Sequence, residues 1–321
     1  LLNNQLDKIG DFQLRYDTLM ERARYQASNT SGLIGARTSL LSHQLFVASE
    51  VGNRLAPRVL LADEVGLGKT IEAGLILSQQ FLRGRAKRVF VAVPDPLLHQ
   101  WLVEMLRRFN LPFSIYDEAR FDAEESAFDF GNDQLVLSPW SFIENNEIAR
   151  ELLLDADWDF VIVDEAHHLN LGADATSELD TTLTDLARNS RGLLLLTATP
   201  GQSGIDSHFS RLQLLDPDRF SDLDRFIEEQ REFESTFELI EALRSGQSVA
   251  NLPDDIDPSK PVDQIIQSLV DQYGTGRVLF RNSRKSVSGF PKRVLNQYEI
   301  PSDEASVPVA ESHRTKWLAQ L

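Results

Sequence analysis

Residues 59 to 70 read Val59-Leu60-Leu61-Ala62-Asp63-Glu64-Val65-Gly66-Leu67-Gly68-Lys69-Thr70. A short apolar run, of the kind that fills a buried strand, stops at a glycine-containing turn, and Gly68-Lys69-Thr70 leads into a helical pattern. Strand, turn and helix in this order form a phosphate cradle. Gly66 and Gly68 permit positive φ and let main-chain amides approach phosphate oxygens closely. Lys69 supplies a point charge for the β and γ phosphates of ATP, and Thr70 offers a hydroxyl to Mg2+ at the opening of the helix. The common pattern has a glycine five positions before Gly68, where this chain has Asp63. A Gly-Lys-Thr tripeptide alone also marks an ordinary glycine turn before a helix, so the flanking sequence has to decide.

Asp164, ninety-five residues after Lys69, stands in the stretch Phe160-Val161-Ile162-Val163-Asp164-Glu165-Ala166-His167-His168. A buried apolar strand ending in two adjacent carboxylates suits nucleotide hydrolysis: Asp164 holds Mg2+, and Glu165 orients and deprotonates the attacking water. His167 is placed to link the water-activating site to a neighbouring segment by hydrogen bonding. Metal ligation by His167 is disfavoured, because no second histidine stands at i+4 and the chain has no cysteine. His168 is read as a solvated or capping neighbour.

Outward from these two stretches, strand and helix patterns alternate. Strands are expected at 59–62, 88–93, 113–116, 134–138, 160–164 and 192–197, and helices at 41–55, 69–82, 96–109, 142–154 and 177–187. Such alternation predicts an α/β fold with a mostly parallel sheet and helices on both faces. Ligands of these sheets lie at the carboxyl ends of strands, where each motif falls. From about Asp206 the rhythm changes to helical segments at 205–215, 220–231, 235–245 and 262–273, with a turn-rich linker over 251–258, which reads as an α-helical spacer insertion. Residues 3–27 carry apolar side chains at helical spacing, an amphipathic helix of about seven turns. Beginning with this helix and without an initiator methionine, the sequence is read as an excised piece whose upstream domain is missing.

The 321 residues are 42% hydrophobic and 25% charged, as in a soluble globular protein, with no run of the roughly 18 apolar residues needed to span a membrane. No secretory signal pattern opens the chain. The absence of cysteine excludes disulfides and cysteine-ligated zinc and fits a reducing, cytoplasmic setting. The net charge of −17 is segregated: residues 1–112 balance at +4, residues 113–258 at −24 and residues 259–321 at +3. A basic face built from the two ends could therefore still meet nucleic acid, and the acidic middle is either a solvated or a partner-facing surface.

Asp63 to Thr70 followed by Asp164-Glu165-Ala166-His167 resembles the superfamily-two helicase-type ATPases, and the Asp63-Glu64 pair resembles their SWI/SNF-related branch. The resemblance runs over nearly the whole chain and implies a RecA-like P-loop NTPase lobe. It places Gln44 where the family reads adenine, so Gln44 joins Asp63, Glu64, Val65, Gly66, Leu67, Gly68, Lys69 and Thr70 as nucleotide-binding candidates. It likens the stretch 93–101, with Pro94 and Gln100, to a motif that contacts a nucleic-acid strand, and assigns Ser138 to a second such motif. The stretch 194–200, with Thr197 and Thr199, resembles the motif coupling the nucleotide site to the nucleic-acid face. The implied catalytic set is Lys69, Asp164, Glu165 and His167, with Thr70 and Asp164 on Mg2+.

The stretches 32–44, 100–110, 277–284 and 289–293 resemble the bacterial RNA polymerase-associated members of that branch. This implies ATP and Mg2+ as cofactors, the RNA polymerase core as partner, DNA or RNA as a further partner, no membrane, and a place in the bacterial transcription machinery. The implied organisation is a linker helix over 1–30, the first RecA-like lobe over 31–204, a helical spacer over 205–275, a return segment of the core over 276–312, and the start of a second lobe over 313–321. In this family the second lobe closes over the nucleotide, so the piece is expected to be nearly inactive alone. A non-catalytic polymerase-docking module and a strand-separating helicase are the alternatives. Trp101 and Trp140 are open to base stacking, although the helical repeat of Trp101 with Leu102, Met105 and Phe109 favours core packing. Arg281, Arg284, Lys285, Lys292 and Arg293 form a basic cluster that is either a phosphate-backbone or inter-lobe contact or a surface charge run.

Overall fold

A computed structural model describes residues 8–28, 32–33, 35–39, 41–124, 127–172, 175–198, 204–230, 262, 265, 277–282 and 284. The expected spacer helices at 235–245 and 262–273, apart from residues 262 and 265, lie outside the described residues. So do Thr199, Lys285, Lys292, Arg293 and the stretch 313–321.

Among the described residues seven strands, β1 (Arg58–Leu61), β2 (Val89–Val93), β3 (Ser114–Ile115), β4 (Leu135–Pro139), β5 (Phe160–Val163), β6 (Gly192–Leu196) and β7 (Leu279–Phe280), form one sheet in the order β3-β4-β2-β5-β6-β1-β7. Every pair is parallel. The central strands are apolar on both faces, because a parallel sheet is covered on both. Their alternation sorts the core into two layers. Leu60, Phe90, Val161 and Leu193 point to one side, while Val59, Leu61, Val91, Ile162 and Leu194 point to the other.

The second layer is closed by α2 (Ser42–Gly52), α3 (Lys69–Leu82) and α4 (Leu98–Phe109), and the first by α6 (Trp140–Asn145), α7 (Glu147–Asp155), α8 (Glu178–Asn189) and α9 (Gly204–Leu215). Gly74 of α3 lets the Phe109 ring of α4 come so close that a Cβ there would lie 2.2 Å from it. α1 (Ile9–Ala27) is helical as its spacing predicts, but Ile9, Phe12, Leu14 and Leu19 stand exposed. No described helix is long and apolar enough to cross a membrane.

Three local expectations change. The helix expected over 142–154 is two, because Asn146 takes an extended backbone and its side chain caps α7 by accepting from Ala149 N–H. The helix expected from residue 96 begins as a 3-10 turn over Asp95–Leu97 before α4. A short helix, α5 (Glu118–Glu124), and the edge strand β7 were not expected at all.

Candidate nucleotide site

The loop after β1 runs to Gly68, which caps α3 with a left-handed backbone (φ 93°), and Gly66 is also left-handed at φ 84°. L side chains adopt that region only with strain, which is the local reason for both glycines. Space adds a second reason at Gly68, where a Cβ would meet Gln44 Nε2 at 2.5 Å. The loop is anchored from within: Leu67 is buried, and its carbonyl accepts from Gln44 Nε2 at 2.9 Å with His43 Nε2 at 3.2 Å. Lys69 Nζ donates to the Asp63 carbonyl at 3.0 Å. Thr70 lies in the first turn of α3, whose free N–H groups and dipole favour an anion.

Asp164 and Glu165 follow β5, and in the sheet β6 alone separates β5 from β1, so the carboxylates and the glycine loop emerge on the same edge. Asp164 is buried. Its Oδ1 accepts from Glu165 N–H at 2.8 Å and its Oδ2 from the Trp101 indole N–H at 2.7 Å. Burial raises the Asp164 carboxyl above the ordinary carboxylate range, and these two hydrogen bonds and Lys69 oppose the rise. Glu165 holds a left-handed backbone at φ 49°, a strained state for a residue with a side chain. Its Oε2 lies 3.2 Å from His167 Nδ1. Burial, then the neighbouring His168, lowers the His167 pKa, which favours the neutral imidazole and weakens any ion pair with Glu165. Thr197, buried at the tip of β6 between the two halves, donates its N–H to the Leu61 carbonyl.

These parts meet in a cleft of about 300 Å3 lined by Gly66, Gly68, Lys69, Thr70, Asp164 and Glu165 on one side and by α4 on the other. Two larger depressions, beside Arg58 and beside Asp95, have no glycine loop and no Asp164-Glu165 pair. The hydroxyl of Thr70 and the carboxylates of Asp164 and Glu165 are hard oxygen donors, with Lys69 for phosphate, and this donor set fits a Mg2+-bound nucleotide.

Asp63 faces elsewhere. Its carboxylate accepts from the backbone N–H and side-chain amide of Asn282, just beyond β7. Glu64 is exposed and takes the Arg284 N–H at 2.8 Å, while Arg284 Nη2 donates to the Val65 carbonyl. The segment after β7 is thus laced to the glycine loop. Below it, ligand atoms of His43, Asp63 and Glu72 lie within 4.8 Å of one another, and among the described residues neither Glu72 oxygen has a donor. Burial, reinforced by Asp63, pushes the Glu72 carboxyl well above the usual range, which favours its protonated form.

The nucleic-acid candidates separate. Gln100 is exposed and lines the nucleotide cleft, and Pro94 is half-buried at the start of the turn before α4. Ser138 is fully buried and its hydroxyl donates to the Tyr116 carbonyl, so this side chain offers no surface to a strand. Glu104 and Arg108 on the cleft wall, and Asn282 beside the loop, escaped the sequence reading. Arg284 was singled out there as part of the basic cluster, and the structure puts it on Glu64 and Val65 of the loop.

Comparison with known proteins adds to this geometry. The SNF2-related domain matches residues 44–304. The RNA polymerase-associated protein RapA of Photobacterium profundum is 48% identical over 333 aligned positions, which cover 94% of this chain and 34% of that protein. RapA of Erwinia tasmaniensis is 45% identical over 325 positions with the same coverage. The chain therefore spans about a third of the length of these curated relatives. In fold it is similar to the Sulfolobus solfataricus SWI2/SNF2 ATPase core solved in complex with dsDNA, at 18% identity and a TM-score of 0.53, over 78% of this chain and 46% of that one.

Proposed function

We propose that this chain, which belongs to the SNF2-related domain family, binds MgATP in the cleft between its glycine loop and the tip of β5 and contributes that lobe to an ATP-driven translocase. One observation carries the reading: Lys69 and Thr70 share a cleft with Asp164 and Glu165, about a hundred residues further along the chain. The loop amides and Lys69 Nζ bind the phosphates. Thr70 Oγ1 and the Asp164 carboxylate would hold Mg2+, which would supply positive charge against the charge that develops as the terminal phosphoryl group is transferred to water. Glu165 takes the proton of the attacking water, and His167 Nδ1, 3.2 Å from its Oε2, steadies it. Thr197, bonded to β1 and adjacent to β5, carries the change towards the track-binding face together with Thr199.

At the level of the whole protein, the reading is a polymerase-bound ATPase that supports RNA polymerase recycling. Its support is the name of the two relatives and the acidic stretch 113–258, which offers a surface to a basic partner.

The test uses the whole protein. Lys69→Ala abolishes nucleotide binding and hydrolysis, and Glu165→Gln abolishes hydrolysis while MgATP still binds. Normal turnover in either variant would remove the assignment. Capture of purified core RNA polymerase by the intact protein, and its failure after deletion of residues 206–275, would assign docking to that stretch. Capture that survives the deletion moves it elsewhere.

A further inference from the structure

A buried indole N–H usually finds a partner, and side-chain donors go most often to the main chain or to water. Trp158 follows that habit, donating to the Leu153 carbonyl at 3.0 Å. Trp101 does not. It is 1% exposed, and its N–H goes instead to a carboxylate 63 residues away, Asp164 Oδ2 at 2.7 Å. Asp164 Oδ1 is fixed from the other side by Glu165 N–H, and each oxygen keeps a lone pair beyond these bonds.

We infer that Trp101 is a positioning residue for the metal site: its indole N–H orients the Asp164 carboxylate and ties it to α4. This rests on the reading of Asp164 as the group that holds Mg2+. A carboxylate at a strand tip turns about its side-chain bonds unless outer hydrogen bonds hold it, and a metal site pays for such freedom in affinity. The attachment at the other end is rigid as well. Trp101 and Met105 are buried in the layer beneath α4, and Phe109 packs against Gly74 of α3, the helix that opens with Thr70. α4 therefore holds Asp164 through Trp101 and packs against α3, the helix that carries Thr70. Its cleft-facing residues Gln100, Glu104 and Arg108 sit on the same body. Anything that shifts α4 is transmitted to the carboxylate through one hydrogen bond.

The experiment follows binding of a fluorescent ADP analogue to the whole protein as Mg2+ is added. Trp101→Phe removes the N–H and keeps a ring. The Mg2+ concentration for half-maximal binding rises by about ten-fold or more, the usual effect of losing a partner of a metal ligand, while binding in EDTA is unchanged. Replacing Trp101 by benzothienylalanine, which has the indole shape and no N–H, gives the same shift and decides the matter should Trp101→Phe fold poorly. An unchanged Mg2+ requirement in the benzothienylalanine protein overturns the inference. Asp164→Asn separates the two levels: if it leaves the Mg2+ requirement unaltered, the reading of Asp164 is wrong. If it alone raises the requirement, the reading stands and the role of Trp101 falls.

Discussion

Asp63 Oδ1 accepts from the Asn282 backbone N–H at 2.7 Å and from its side-chain amide at 3.0 Å, across 219 residues of chain. The residue that breaks the common glycine-loop pattern is thereby explained as a bolt. It fastens the stretch after β7 to the loop that follows β1, and a glycine could not. Asn282→Ala leaves the fully buried Asp63 carboxylate short of donors and is expected to cost about 1–3 kcal/mol of stability. Urea unfolding of the whole protein checks the magnitude. Nucleotide affinity should fall with it, since the same loop carries Gly66 to Lys69.

Gly68→Ala meets two obstacles at one position, the left-handed backbone and Gln44 Nε2 at 2.5 Å from the new Cβ. The strain alone is of order 1–3 kcal/mol. Because Gln44 also holds the Leu67 carbonyl, relief by moving Gln44 releases the loop. The expected outcome is a loss of ATP binding larger than the loss of stability, read by titration calorimetry beside thermal unfolding. Equal ATP affinity in the variant would show that the loop does not need this conformation.

Glu72 makes stability fall as pH rises. Its folded pKa lies well above that of the unfolded chain through burial and the nearby Asp63, so between the two values only the folded state keeps the proton. Each pH unit in that window costs about 1.4 kcal/mol. Glu72→Gln removes the penalty. The variant should gain stability relative to the parent at pH 8, with the gain shrinking as pH falls into the ordinary carboxylate range.

His208 acts at the acidic end. Burial, then Arg211 and Arg281, lowers its pKa to about 4, so below the usual imidazole value near 6.5 the unfolded chain takes up a proton that the folded one refuses. Stability is lost as pH drops from about 6.5 to about 4, by at most about 3 kcal/mol. His208→Gln should flatten the pH dependence of unfolding in that interval. An unaltered slope would assign the acid sensitivity to other groups.

The strands and the glycine loop before α3 were legible because their signals are local. Lys69 to Leu82 is helical over the expected span, since a glycine stop, a phosphate-loop lysine and an apolar stripe all lie within one window. Asn146 was missed as a boundary because its neighbours continue a helical period on both sides, and only its cap bond to Ala149 N–H shows the break. Strand β7 was missed because two residues carry no period, and its place depends on finding Leu60 and Leu61 as register partners.

Composition, the spacing of Lys69 and Thr70, and the Asp164-Glu165 pair after an apolar strand pointed by themselves to an α/β sheet with a candidate nucleotide site on the carboxyl edge. Those features are short-range, and chain geometry turns them into a site wherever parallel strands lie side by side. Tertiary structure alone decided what surrounds the site: Asn282 on Asp63, Arg284 on Glu64, Gln44 on the Leu67 carbonyl and Trp101 on Asp164. Each is a hydrogen bond between residues 23 to 220 positions apart. Such pairs leave no periodicity in the sequence, because they depend on how burial brings distant donors to acceptors that water can no longer reach.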